Sequence, residues 1–348
     1  MKFQIIDNKI EFYKIDSFIA EGWDLPYYET MYKIFYRSKK SFIYSLKNGK
    51  CTYLPFTDFG PYIISKKDDS IFLFKNDDHM SKRKECTLFR YNLKSGVFED
   101  TYDLSQHFIG VKRFEFIKID YVNDTHLAIL VENLDSSIFS IIILNIETKR
   151  SFFVEIDKDR VIDTYYKNSQ FMFEGELYIP YVVKENKKQF FPSLYRKKDI
   201  LKEQGILKYN NGKLRKVKDL KIDYMYNIFS DDSEKYLACI HFANREYQVN
   251  IYYHHECLLK QKYILGKKER ISFKFVYGKN NDVVFAVELK NKYEIFNLVN
   301  KTVINIDLTE EQMKCSDLLS NNMILFDDEI PYDIYSNNQK RNLYEFKV

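Results

Sequence analysis

The feature that most constrains the fold of this chain is a short polar turn that opens into an apolar strand and recurs along the sequence. The clearest copy is Phe229–Ile240, in which Ser230–Ser233 precedes the run Tyr236–Ile240. Related steps begin near Lys67, Asn123 and Asn280, and weaker ones near Tyr28, Phe173 and Ser320. Self-similarity at a regular spacing is typical of repeat architectures, so the chain is predicted to consist of repeated β units.

A second series of turns alternates with the first and separates short runs rich in β-branched and aromatic residues. Its members are Asn48–Gly49, Lys94–Gly96, Glu147–Lys149, Asn211–Gly212, His255–Glu256 and Asn300–Lys301. Such turns predict β-hairpins, and the clearest unit is Gly60–Leu104. Its strands are predicted at Tyr62–Ile64, Ile71–Phe74, Thr87–Leu93 and Val97–Leu104. Units spaced by roughly 40 to 57 residues predict an all-β propeller of about seven four-stranded blades.

The polarity of the strands agrees with blades packed face to face. Leu127–Val131 and Ile141–Leu144 are apolar without alternation, as in strands covered on both faces, whereas Lys213–Val217 is charged and alternating, as in an outer strand. The strand at Asn342–Phe346 is predicted to pair with the N-terminal strand Lys2–Ile6 and to close the ring in one shared blade. A ring of six blades, with Val161–Gly175 as an irregular loop, is the alternative.

Composition bounds the class of protein. The 348 residues are 45% hydrophobic and 17% aromatic, enough for a large core, and the formal net charge of +4 is too small to favour nucleic acid as a partner. Five scattered cysteines without a Cys-x-x-Cys pair favour reduced thiols over a disulfide framework or a zinc site. The sequence shows neither a signal-peptide core nor an apolar stretch long enough for a membrane span. We therefore predict one cytoplasmic domain over residues 1–348.

The stretch Phe229–Ala238 resembles the repeat of TolB-like and WD40-like β-propellers. That repeat commonly reads Ser-Pro-Asp-Gly-Lys-x-Leu/Ile-Ala before the second strand, and here Asp231 replaces the proline and Ser233 the glycine. The resemblance covers most of the chain as a period but only one blade as a motif. It implies the propeller architecture and transfers no functional residue.

Two loops between second and third strands are long, at 76–84 and 184–204. In a propeller such loops lie on a face that commonly binds partners. In the second loop, basic residues surround the aromatic run from Phe190 to Tyr195. This combination can bind an acidic protein surface, a phosphorylated segment or single-stranded nucleic acid. The alternative is a solvated insertion whose aromatic residues pack back on a neighbouring blade.

We therefore predict a non-catalytic scaffold that binds a protein partner, with an acidic partner surface as the matching charge, and that needs no cofactor. The predicted contact residues are Lys187, Lys188, Phe190, Phe191, Tyr195, Arg196, Lys197 and Lys198. A subunit of a larger assembly is a further reading, and it predicts apolar patches on the blade edges.

The catalytic alternative is a carbohydrate- or peptide-processing enzyme, a hydrolase or lyase, with carboxylates in the axial channel. Candidate carboxylates are Glu115, Asp120 and Asp163. The sequence has neither a Gly-x-Ser-x-Gly elbow nor a glycine-rich phosphate loop. His254 and His255 are not predicted to share a metal ion, because adjacent residues on a strand point to opposite faces.

Overall fold

The structure is a computed structural model. It describes residues 3–6, 10–20, 32–35, 42–46, 49, 51–55, 59–65, 68, 70–75, 86–158, 160–162, 170–184, 201–217, 225–266, 269, 271–278, 280–314, 316–320, 322–327 and 339–347. The chain divides into two compact units. Asp58–Tyr263 forms one, here called the central unit, and Met1–Thr57 with Ile264–Val348 forms the other, here called the terminal unit.

The described residues of the terminal unit form three sheets. The first contains β3 (Tyr32–Phe35), β4 (Phe42–Ser45) and β5 (Cys51–Tyr53). The second contains β1 (Gln4–Ile6), β23 (Ser272–Tyr277), β24 (Val283–Glu288), β25 (Lys292–Asn297) and β26 (Thr302–Asp307). The third contains β2 (Glu11–Ala20), β27 (Ser316–Leu319), β28 (Met323–Asp327) and β29 (Gln339–Lys347).

The described residues of the central unit form four sheets. The first contains β6 (Phe59–Ile64), β7 (Ser70–Lys75), β8 (Thr87–Asn92) and β9 (Val97–Asp103). The second contains β10 (Phe114–Asn123), β11 (His126–Asn133), β12 (Ile138–Asn145) and β13 (Ser151–Glu155). The third contains β14 (Arg160–Val161), β15 (Phe171–Phe173), β16 (Glu176–Lys184), β17 (Leu201–Asn210) and β18 (Lys213–Lys216). The fourth contains β19 (Met225–Ser230), β20 (Tyr236–Ala243), β21 (Glu246–Tyr253) and β22 (Glu256–Ile264).

In the described part of the chain, two short helices lie between sheets. A 3-10 helix, Ser105–Phe108, follows β9, and α1 (Glu310–Lys314) follows β26. A capping box opens α1, because the Gln312 backbone nitrogen donates to Thr309 Oγ1 and the Thr309 backbone nitrogen donates to Gln312 Oε1. No helix among the described residues has the length and apolar character needed to cross a membrane.

Successive sheets of the central unit pack face to face, and β11 shows why its sequence is apolar throughout. Leu127 and Ile129 belong to the core shared with the preceding sheet, whereas Ala128 and Leu130 belong to the core shared with the following sheet. Alternate side chains of a strand point to opposite faces, so both faces of β11 are covered. This confirms the prediction for Leu127–Val131. The outer strand β18 is mostly exposed, as predicted.

The strands of the Gly60–Leu104 unit are confirmed to within a few residues as β6 to β9. The hairpin predicted at Asn211–Gly212 is also confirmed, since both residues have the positive φ of a two-residue turn, 48° and 80°. The segment Val161–Gly175, which the six-bladed alternative treats as a loop, contains β15. Both β14 and β15 pair with β16.

The polar turn of the repeat is organised by one carboxylate. Asp231 is 2% exposed, and it accepts hydrogen bonds from the backbone nitrogens of Ser233 (2.9 Å), Lys235 (2.9 Å) and Tyr236 (2.7 Å), and from the Ser233 hydroxyl. An aspartate that accepts from several following amides fixes a turn as a proline-glycine pair would. This explains why Asp231 can replace the proline of the repeat.

The predicted partner of the last strand is wrong. Gln4–Ile6 pairs in parallel with β26, and β29 pairs instead with β2, in the register Phe12 to Phe346. Both N-terminal stretches are rich in β-forming residues, so local sequence does not distinguish which of them pairs with the C-terminal strand.

Candidate partner-binding site

The segment that contains the predicted contact residues leaves and re-enters one sheet at a single point. Lys184 at the end of β16 pairs with Leu201 at the start of β17, so residues 185–200 connect the second and third positions in the strand order β14-β16-β17-β18. All eight predicted residues, Lys187, Lys188, Phe190, Phe191, Tyr195, Arg196, Lys197 and Lys198, fall in this segment and lie outside the described residues. Lys184 belongs to β16 and Leu201–Gln204 belongs to β17, whereas the sequence analysis assigned these residues to the loop.

The base of this segment is a cluster of paired side chains. Glu203 accepts hydrogen bonds from the Tyr181 hydroxyl and from Lys216 Nζ, the latter at 2.8 Å. The guanidinium carbon of Arg160 lies 4.8 Å from the centre of the Tyr181 ring, at the distance of a cation–π contact. Tyr181 on β16 thus contacts Glu203 on β17 and Arg160 on β14. Lys216 on β18 binds the same carboxylate as Tyr181.

Glu203 and Tyr181, at the foot of this segment, each have one protonation state at neutral pH. Hydrogen bonds from Lys216 and Tyr181 lower the pKa of Glu203, so its carboxylate is ionised. Burial and the hydrogen bond to Glu203 raise the pKa of Tyr181, so its hydroxyl remains a donor. We infer that the two strand ends that carry residues 185–200 are held by charge-assisted hydrogen bonds.

The close approach of β16 and β17 at this base depends on Gly205, which lies directly opposite Tyr181. A Cβ atom at Gly205 would lie 2.5 Å from the Tyr181 hydroxyl oxygen and 2.6 Å from Cζ. The tyrosine ring therefore occupies the space above the glycine. Sequence reasoning missed this pair, because it depends on the cross-strand register.

The other long loop has the same placement. Phe74 pairs with Leu88, so the segment between β7 and β8 also connects a second strand to a third. Residues 76–85 lie outside the described residues.

The carboxylates proposed for catalysis do not meet in the described part of the chain. Glu115 and Asp120 lie on the same strand, β10, five residues apart, which is about 16 Å of extended chain. Asp120 Oδ2 is 3.4 Å from Lys118 Nζ, and Lys118 also donates to the Gln170 carbonyl at 2.6 Å. Asp163 lies outside the described residues.

A different acid–base cluster, which the sequence did not indicate, lies in the terminal unit. Lys274 Nζ is 2.6 Å from Asp317 Oδ1, which joins β23 to β27 of the next sheet, and the Lys274 side chain is only 12% exposed. Ser272 pairs across the sheet with Glu288 and donates to its Oε2 at 2.8 Å. Burial, together with the nearby Asp317, raises the pKa of Glu288, although the Ser272 hydrogen bond and Lys274 oppose the shift. The carboxyl groups of Asp317 and Glu288 therefore both interact with the Lys274 ammonium group.

The histidine pair is at a hairpin turn, as predicted, but its side chains reach the same group. His254 Nδ1 lies 3.2 Å from Glu174 Oε1, and His255 Nε2 lies 2.9 Å from Glu174 Oε2. Both histidines have positive φ, 46° and 61°, so the opposite-face argument for a strand does not hold here. Within the described ranges no group of three or more His, Cys, Asp or Glu side chains could hold a metal ion.

Several outer strands expose large apolar side chains. They are Val97 and Phe98 on β9, Phe152 and Phe153 on β13, and Tyr53 on β5. Exposed apolar residues on outer strands are what the assembly-subunit reading predicts.

Comparison with known proteins places the fold. No protein-family model and no curated protein sequence matches the chain. The chain is similar to a solved oligogalacturonate lyase in complex with manganese, at TM-score 0.56 and 10% identity, over 99% of this chain and 98% of that one. It is also similar to the β-propeller domain of the Trilobed protease from Pyrococcus furiosus, at TM-score 0.54 and 10% identity, over 96% of both chains. A complex of KlAtg21 with the coiled coil of AgAtg16 matches at TM-score 0.51 and 13% identity, over 88% of this chain and 89% of that one. These likenesses show a β-propeller fold and confirm the resemblance read from the repeats.

Proposed function

We propose that this protein is a non-catalytic scaffold that binds a protein partner through the segment joining β16 to β17. The observation that carries the proposal is the pairing of Lys184 with Leu201, which returns a long basic and aromatic segment to one point of a rigid sheet. Long loops on a rigid scaffold are disproportionately used for binding. The similar structures include a lyase and a complex with a coiled coil, so the likeness itself favours neither an enzyme nor a scaffold.

Within the segment, aromatic and basic residues contribute to binding in different ways. Phe190, Phe191 and Tyr195 supply the apolar anchors, since aromatic residues dominate the energetics of interface centres. The lysines and Arg196 around them favour an acidic partner surface by charge complementarity, and they raise the association rate.

The architecture we propose is a ring of seven blades, with six as the alternative count. The pairing of β2 with β29 supports closure of the ring, because an N-terminal strand completes a sheet otherwise built from C-terminal strands. Cys51, Cys239 and Cys257 carry free thiols, which supports a cytoplasmic location.

Replacement of residues 185–200 by a short Gly-Ser linker tests the binding function. The linker retains the Lys184–Leu201 pair and the contacts around Tyr181, so we expect the free energy of unfolding to change by less than about 1 kcal/mol. Affinity purification from the source cells, followed by mass spectrometry, should recover a partner with the intact protein and lose it with the linker variant.

The matched control is the same replacement in residues 76–85, which also joins a second strand to a third. Partner recovery should survive this change. Equal recovery with both linker variants and the intact protein would refute the binding role of residues 185–200.

A second candidate function, an enzyme that uses a pair of carboxyl groups, is supported by the cluster of Lys274, Glu288 and Asp317. Two carboxyl groups whose surroundings differ are the usual arrangement for a general acid and a general base. Hydrolysis or elimination of an oligosaccharide or peptide by the purified protein, lost in Glu288→Gln, would favour this function over the scaffold.

The raised pKa of Glu288 also predicts how stability varies with pH. A group with a raised folded pKa stabilises the fold at pH values below its unfolded pKa of 4.5, and that contribution is lost as the pH rises through the folded pKa. The Glu288→Gln side chain remains neutral throughout. We therefore expect this variant to gain stability relative to the unchanged protein as the pH rises from 4 to 8. Urea unfolding at the two pH values measures the difference, and a pH-independent difference would contradict the assignment.

A further inference from the structure

Three polar side chains of the central unit meet where the 3-10 helix contacts the start of β13. His107 Nε2 lies 2.7 Å from Ser151 Oγ, and Gln106 Nε2 donates to the same oxygen at 3.0 Å. His107 and Ser151 are 44 positions apart in the sequence, so the fold alone creates this contact.

The types of donor determine the direction of these bonds. A side-chain amide nitrogen only donates, so Gln106 occupies a lone pair on Ser151 Oγ. The same amide nitrogen lies 3.5 Å from His107 Nε2, too far for a strong hydrogen bond. In the tautomer that carries its proton on Nδ1, His107 Nε2 accepts the Ser151 hydroxyl hydrogen over 2.7 Å, the arrangement of a nucleophile and its base. Burial lowers the pKa of His107 below 6.5, which agrees with a neutral imidazole at pH 7.

The group is held in place and open to solvent. The Phe153 ring stacks on the His107 imidazole, with ring centres 5.8 Å apart and planes 16° apart. Phe153 is 42% exposed and Ser151 is only partly buried. The stacking restricts rotation of the imidazole, and the exposed phenyl face offers an apolar contact to an incoming aryl group.

We propose that Ser151 is a base-activated modification site that accepts an acyl group from an activated ester. Ser151 Oγ forms a bond to the ester carbonyl carbon as its proton moves to His107 Nε2. The bond from that carbon to the leaving oxygen then breaks, and the proton passes from His107 to the departing alcohol or phenol. The products are O-acyl-Ser151 and the free alcohol. The hydrogen bond from Gln106 Nε2 holds Ser151 Oγ in position for this attack. This proposal does not depend on partner binding by residues 185–200.

The test uses the full chain and p-nitrophenyl acetate, with acetylation located by peptide mass spectrometry. General-base assistance contributes about 10²-fold or more, so Ser151 should be acetylated about 10²-fold faster than Ser136, an exposed serine in the turn between β11 and β12. His107→Gln should lower the rate at Ser151 to that of Ser136. The glutamine side chain can still accept the hydroxyl hydrogen bond but cannot take the proton, so thermal stability should change little.

A merely structural contact predicts different results. If the Ser151–His107 bond only ties the 3-10 helix to β13, the rate at Ser151 will equal that at Ser136 or will be unaffected by His107→Gln. Either result would overturn the proposal. If His107→Gln lowers the melting temperature, the Ser151→Cys variant provides a second test, under conditions where all proteins compared are folded. Iodoacetamide should alkylate the new cysteine faster when His107 is retained than in the double variant with His107→Gln. Equal rates would overturn the proposal.

Discussion

Asp231→Ala is expected to lower the free energy of unfolding by about 3 kcal/mol, because the buried Tyr236 nitrogen and two part-buried backbone nitrogens lose one shared acceptor. The carboxylate accepts from the nitrogens of Ser233, Lys235 and Tyr236, and the Tyr236 nitrogen is buried. Truncation to alanine leaves these groups without their partner at the point where β20 begins. Urea unfolding followed by far-ultraviolet circular dichroism measures the loss.

Asp231→Asn provides the graded comparison. The asparagine oxygen can replace one carboxylate oxygen, the acceptor for Lys235 and Tyr236, whereas its amide group would face the Ser233 donors. We expect a loss between those of the unchanged protein and Asp231→Ala. If Asp231→Ala costs less than about 0.5 kcal/mol, the effect of an ordinary surface substitution, the carboxylate does not organise the turn.

Gly205→Ala is expected to destabilise the protein by about 2–3 kcal/mol, since the new Cβ would require the Tyr181 ring to move. The ring is 2% exposed and is held by Arg160 and Glu203, so it has no free space to enter. Because this pair forms the base of residues 185–200, the same substitution should also weaken partner binding.

A double-mutant cycle separates the clash from other effects of the substitution. Tyr181→Ala removes the ring and should itself cost about 3 kcal/mol or more, as for other large-to-small core changes. Adding Gly205→Ala to Tyr181→Ala should then cost almost nothing, since the space above the glycine is empty. An equal cost for Gly205→Ala in both backgrounds would show that the tyrosine is not the cause.

Local sequence was sufficient for the parts of the fold that local chemistry determines. The turn at Asp231, the hairpin at Asn211–Gly212 and the two-sided burial of Leu127–Val131 each follow from residue type and spacing within a few positions. Their strands therefore fall where the sequence placed them.

Features that depend on pairing between distant strands were not predictable in this way. Tertiary packing and register determine that β29 pairs with Glu11–Ala20 and not with Lys2–Ile6. They also determine the contact between Lys274 and Asp317. The same holds for Ser151 and His107. The candidate binding residues from Lys187 to Lys198 remain a prediction, supported by where their segment leaves the sheet.

The most direct test of the binding function is photo-cross-linking from within the segment. Phe190 is replaced by the photo-reactive residue benzoylphenylalanine, and a matched protein carries it at Phe98, which is 40% exposed on the outer strand β9. Illumination in extract from the source cells should attach a protein partner at position 190 and none at position 98. A partner that cross-links equally from both positions, or that binds the protein without cross-linking from position 190, would contradict partner binding through residues 185–200.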